Sequence, residues 1–154
     1  MRFLESIDVS ASGMTAQRLR MDTISSNMAN VETTRTANGT GPYRRQIVIF
    51  EARNEAPAKS KFRAMLEKEQ KNSNPAYGVR VKEIRQLNEN EAPFRRVYEP
   101  SHPDADAQGY VNYPNVNIVE EMTNMISATR AYEANARVIE ASKGMALKAL
   151  EIGR

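Results

Sequence analysis

Ile118, Met122, Met125, Thr129, Tyr132, Ala136, Ile139, Lys143, Ala146 and Leu150 follow one another at alternating spacings of four and three residues. The same rhythm, starting with a three, runs through Leu4, Ile7, Ala11, Met14, Arg18, Met21, Ser25 and Met28. A period near 3.5 keeps such residues on one side of a helix. Two stripes therefore predict two long helices, one near each end of the sequence, and neither can bury its stripe alone. Val119, Ile126 and Leu147 widen the second stripe, while Phe3, Ile24 and Val31 flank the first. Asn117 is a suitable cap, and Glu120 and Glu121 sit in the first turn, where carboxylates suit the positive end of the helix dipole. A helix over 118–150 would be about 50 Å long at about 1.5 Å per residue. For the first helix, Asp8 or Ser10 offers a start, and Asn30 with the β-branched VETT run offers an end. Gly13 weakens that helix by about 1 kcal/mol relative to Ala, but it admits another backbone at close range.

Between the helices the pattern changes. TANGTGP is a breaker. YRRQIVIFEA predicts a strand over 43–52, and alternation through Tyr77, Val79 and Val81 predicts a second. FRRVYEP reads as a short extended piece. Tyr110 to Tyr113 reads as a short strand among turns marked by Pro103, Gly109 and Pro114. The charged 51–76 segment fits either one short helix over Phe62, Met65 and Leu66 or a loop. The expected fold is mainly α with a small β-rich middle, its long N- and C-terminal helices paired as an antiparallel coiled coil. The chain divides into 1–35, 36–115 and 116–154. Pairing the ends closes a loop of roughly 85 residues, at about 4 kcal/mol in the simple entropy estimate. Neighbouring copies are expected to supply further burial.

The first helix carries Ser10, Ser12, Gly13, Thr15, Ala16, Gln17, Ser25, Ser26, Asn27, Ala29 and Asn30 beside its stripe, where a solvated helix would carry Lys and Glu. Charges are costly to desolvate between packed subunits, whereas small and amide side chains pack closely and hydrogen-bond. These flanks suit burial on more than one side. A single domain with this helix in its own core is the plainer alternative, although the middle is small for wrapping two long helices.

Catalytic patterns are sparse. The sequence has one histidine, His102, and no cysteine, which removes nucleophile–His pairs and structural zinc almost entirely. His102, Asp104 and Asp106 lie close together, and DADAQG begins like a calcium loop. The twelfth position of that loop, however, is Asn115 in place of Glu, so a polar turn is the better reading. Arg44–Arg45 and Arg95–Arg96 stand near aromatic residues, but two doublets and a net charge of +3 are thin support for nucleic-acid binding. No apolar run is long enough for direct membrane insertion, and MRFLESIDVSASG lacks the apolar segment of a cleaved signal peptide. The expectation is a non-enzymatic protein with no cofactor, metal or nucleic-acid ligand.

SASGMTAQRLRMDTISSNMANVETT closely resembles the N-terminal signature of bacterial flagellar rod and hook-type proteins. Ser12, Gly13, Met14 and Ala16 match its first part; Asn27, Ala29, Asn30 and Thr33 match its second. Near the other end, Arg130, Tyr132 and Asn135 match the family's Arg-x-Tyr-x-x-Asn. GPYRRQIVIFEA, VYEPSHPDADAQGYVNYPNVN and the short length are similar to the proximal rod members in particular. The resemblance implies a structural subunit of the flagellar basal body. Such subunits build a hollow periplasmic shaft that transmits torque and passes exported subunits. It implies export through the flagellar type III apparatus without a cleaved signal, and assembly with copies of itself and with rod proteins of the FlgB and FlgF type. Asn27, Asn30, Arg130, Tyr132 and Asn135 would then be helix-packing and subunit-contact positions. Ile7, Ala11, Met14, Met21, Ile24, Met28, Met122, Met125, Ile126 and Ile139 join them as interface candidates from the stripes. The rival readings are a coiled-coil adaptor with a small β domain, and a small hydrolase or nucleic-acid binder.

Overall fold

The computed structural model describes residues 3–36, 41–53 and 78–152. Two helices, α1 (Phe3–Ala29) and α2 (Ile118–Ile152), bracket four strands: β1 (Gln46–Ala52), β2 (Val79–Gln86), β3 (Arg95–Tyr98) and β4 (Tyr110–Tyr113). The ends of the helices follow their local chemistry. Asn30 closes α1: its Nδ2 donates to the Ser26 carbonyl at 2.8 Å, and its Oδ1 accepts from the Thr33 hydroxyl at 3.1 Å. Asn117 opens α2 by accepting the Val119 N–H at 3.0 Å. At the other end, α1 starts at Phe3, earlier than Asp8 or Ser10. Ser10 is not a cap but a buried residue on the helix face. The expected helix over Phe62, Met65 and Leu66, and the start of the second strand at Tyr77, lie outside the described residues.

β1 and β2 form an antiparallel ribbon running from Gln46 opposite Gln86 to Ala52 opposite Val79. Ile49 faces Glu83 and Phe50 faces Val81, so Lys82 is the extra residue of a bulge. β3 and β4 form a second ribbon, Arg95 opposite Tyr113 and Tyr98 opposite Tyr110. A two-stranded ribbon is marginal by itself, so each needs an anchor. The first ribbon lies on α1, where the Ser12 hydroxyl donates to the Val9 carbonyl at 2.7 Å and accepts the Val79 N–H at 3.1 Å. The second is fixed by the buried Val111 and Pro114, and by Thr34 donating to Asp104 at 2.8 Å.

Gly78 makes the Ser12 contact possible. Its φ is +91°, and a Cβ there would lie 2.2 Å from the Ser12 hydroxyl oxygen. Gly78→Ala meets both obstacles at once. It should lower stability by about 2–4 kcal/mol, combining left-handed strain of about 1–2 kcal/mol with displacement of Ser12. Thermal unfolding, together with faster exchange of the Val79 amide, checks this.

α1 packs along α2. Gly13 meets Asn135, Met21 meets Thr129, and Asn27 meets Glu121, so partners on α2 descend as α1 ascends. The facing rows differ in phase from the expected stripes. On α2 the buried residues are Glu121, Ala128 and Ser142, with Met125, Tyr132, Asn135, Ile139 and Ala146 half-buried around them. Ile118, Met122, Lys143 and Leu150 of the expected stripe are exposed. On α1 the buried residues are Ser10, Ala16, Thr23, Ile24 and Asn27, while Ala11, Arg18 and Ser25 are exposed. The helices meet through small and polar side chains because these permit close approach. At Gly13, an added Cβ would stand 3.0 Å from the Asn135 amide nitrogen.

Candidate assembly surface

A buried polar node joins the two helices to the start of β1. Asn27 is 1% exposed, and its amide is fully used. Its Nδ2 donates to the Gln46 carbonyl at 2.8 Å and to Glu121 Oε2 at 3.1 Å. Its Oδ1 accepts the Gln46 N–H and the Tyr43 hydroxyl, each at 2.9 Å. The side chain thus serves both backbone groups of Gln46, as a neighbouring strand would. Glu121, also 1% exposed, accepts from the Arg45 guanidinium, with Nε at 2.9 Å from Oε1. Arg45 Nη2 reaches Glu120 as well, at 2.9 Å. Burial works against the Arg45 charge, but its bonds to Glu121 and Glu120 prevail and hold the guanidinium above its ordinary value.

The β3–β4 connection is organised by its acids. Asp106 Oδ1 accepts the N–H groups of Gln108 and Tyr110, and Oδ2 accepts from Arg96. The Tyr110 N–H first, then Gln108 and the Arg96 charge, hold the Asp106 carboxyl below its usual range. Asp104 is likewise lowered, chiefly by the Thr34 hydroxyl, with Arg35 and His102 adding to it. His102 Nδ1 accepts the Asp104 N–H. All three side chains of the candidate metal cluster thus have partners within the fold. Arg44 lies over Phe94, Arg95 over Tyr113 and Arg96 over Tyr110, at 5.0–5.5 Å from the ring centres. These arginines stack within the chain.

The outer side of α2 is different. Val119 is 71% exposed, Met122 50% and Ile126 60%, with Ile118 beside them. Val138, Met145, Leu147, Leu150 and Ile152 are exposed further along. On a helix turning about 100° per residue, Ile118, Val119, Met122 and Ile126 share one flank. Val138, Met145 and Ile152 share another.

Of the positions expected from the sequence, Ile24 and Asn27 are buried. Ile7, Met14, Met21, Met28, Asn30, Met125, Tyr132, Asn135 and Ile139 are half-buried along the helix pair. Ala11, Met122, Ile126 and Arg130 are exposed, and Arg130 makes a surface pair with Glu133 at 3.7 Å. Sequence reasoning missed Glu121, Arg45, Gln46, Tyr43 and Gly78. Glu121 was legible in one respect: it stands at heptad spacing from Ala128, Asn135 and Ser142, a row of small and polar residues.

Residues 7–35, most of α1 and its cap, match the family model described as flagella basal body rod protein. Residues 107–152, covering β4 and α2, match the model described as flagellar basal body rod FlgEFG protein C-terminal. Paired helices matched at both ends define a structural protein of the flagellar basal body. The chain is 44% identical over 158 residues to flagellar basal-body rod protein FlgC of Bacillus subtilis, covering 100% of both. It is 47% identical to FlgC of Borreliella burgdorferi, covering 99% of this chain and 98% of that one. With FlgC of Escherichia coli O6:H1 the identity is 38% over 100% of both chains. The chain belongs to the flagellar basal-body rod protein FlgC family, and it is a structural rod subunit rather than an enzyme.

Proposed function

We propose that α1 and α2 form an antiparallel coiled coil, and that the outer side of α2 is where neighbouring subunits join to build a hollow periplasmic shaft. The observation that carries this reading is the apolar flank of Val119, Met122 and Ile126, which the described residues leave exposed. Contiguous apolar surface of this kind marks an interaction site. The second strip, Val138, Met145 and Ile152, supports a head-to-tail arrangement. Two different patches on one helix make a heterologous contact, which extends into an open helical assembly rather than closing as a dimer.

In this reading 1–35 and 116–154 form the assembling domain, and 36–115 is a smaller outer region. The partners are copies of the chain and rod proteins of the FlgB and FlgF type. The flagellar type III apparatus delivers the subunit without a cleaved signal. The finished shaft transmits torque and passes exported subunits. An adaptor would need a charged, soluble outer face, and the α2 flank argues against one. Deleting the chain should leave basal bodies without rods and cells without swimming. Electron microscopy of purified basal bodies tests this, and rods of normal length in the deletion strain would refute the reading.

A further inference from the structure

The seam between α1 and α2 holds little information about its own register. Apart from Asn27 and Glu121, its buried members are Ser10, Ala16, Thr23, Ala128 and Ser142, with Ile24 the one large apolar side chain among the buried seam residues described. Small residues fit opposite one another at many offsets. Gly13 accepts Asn135 because it is small, and it would accept other side chains on the same grounds. A slide of one heptad would bring Gly13 opposite Ala128 or Ser142, small residues again.

The Asn27–Glu121–Arg45 node does not tolerate a slide. Asn27 uses both amide hydrogens and both lone-pair directions of its oxygen, and Glu121 meets the only guanidinium that reaches it among the described residues. After a one-heptad slide, either Asn27 would face Ala128 in place of Glu121, or Glu121 would face Arg20 in place of Asn27. In the first case Asn27 and Glu121 both lose partners; in the second Glu121 exchanges Arg45 for Arg20, and it is Asn27 that is left buried without its carboxylate, which is costly.

We infer that this node is a register lock: it selects one alignment of α1 against α2 out of several that packing alone would allow. A single buried polar contact does the same in coiled coils, fixing alignment at some cost in stability. The consequence reaches the surface. Arg45 and Gln46 belong to the middle region, so the lock also fixes where the middle sits relative to the exposed strips on α2. It acts inside one subunit, so it stands or falls separately from the assembly reading.

The chain has no cysteine, so introduced pairs report alignment cleanly. Met21→Cys with Thr129→Cys reads the native register, since these side chains meet at 3.5 Å. Met21→Cys with Met122→Cys, or with Ala136→Cys, reads a slide of one heptad either way. In the otherwise native full chain, oxidation should link 21 to 129 at least about tenfold faster than either displaced pair. In the triple variant Asn27→Leu, Arg45→Leu, Glu121→Leu, helical by circular dichroism, a displaced pair should form within about threefold of the native one. A helical triple variant that still links only 21 to 129 would overturn the lock.

If the triple variant loses its helices, Glu121→Gln takes its place. It keeps the size and the acceptor for Asn27 but removes the charge held by Arg45. The displaced pairs should then form several-fold faster than in the native chain. Rates equal to the native chain, or loss of helix here too, would mean that the node sets pairing strength and not alignment.

Discussion

Arg45→Met should lower the unfolding free energy of the free subunit by about 3 kcal/mol, the lower end of the range for breaking a buried ion pair. It leaves the Glu121 carboxylate, 2% exposed as a side chain, with Asn27 as its one side-chain partner among the described residues. The low end applies because the Arg45 side chain is 19% exposed, so water reaches the vacated space. Glu121→Leu alone should cost less, because Arg45 keeps Glu120 at 2.9 Å and some water, although one Asn27 hydrogen loses its acceptor. The double variant Arg45→Met, Glu121→Leu should recover most of the loss, because no unpaired charge remains buried. Urea unfolding of the four proteins completes the cycle. Additive losses in the double variant would contradict the account of the node.

Much of this architecture was readable in the residues. Heptad spacing located both helices, Asn117 and Asn30 marked ends that the structure keeps, and Tyr110 to Tyr113 is a strand as expected. The strand expected from Tyr43 begins at Gln46, because the Tyr43 N–H donates to the Thr33 carbonyl at 3.0 Å rather than to a strand partner. Less legible was the phase of the stripes. Hydrophobicity marks every apolar face, whoever covers it. It therefore pointed to Met122 and Ile126 as strongly as to Met125 and Ile139, although within the subunit only the latter pair lies along α1.

The fully buried residues of α2 are Glu121, Ala128 and Ser142, a row that a hydropathy pattern cannot distinguish from a solvated surface. Glu121 reads as a first-turn carboxylate, yet that reading misses its burial. Its partner Arg45 is 76 residues away and reads as half of a surface doublet. Pairings at that separation leave no local trace. Gly78 is silent for the same reason, since its constraint comes from Ser12 on another element.

Ile126→Asp should leave the subunit folded and abolish its assembly. In the free chain Ile126 is 60% exposed, so the substitution should change stability by no more than about 1 kcal/mol, mostly through helix propensity. In a shaft whose subunits join through this flank, the same carboxylate would be buried at every contact, at a cost of several kcal/mol per ion. Because the contact repeats along the assembly, even one such penalty per subunit prevents growth. Met122→Asp should act alike. Alanine at either site should weaken assembly without abolishing it, since it removes apolar area worth about 25 cal/mol per Å² and adds no charge.

The decisive measurement is the number of rods in basal bodies purified from cells whose only copy of the chain carries Ile126→Asp, with folding of the purified subunit verified by circular dichroism. A folded subunit and no rods are expected. A folded subunit, normal rods and normal swimming would contradict assembly through this flank.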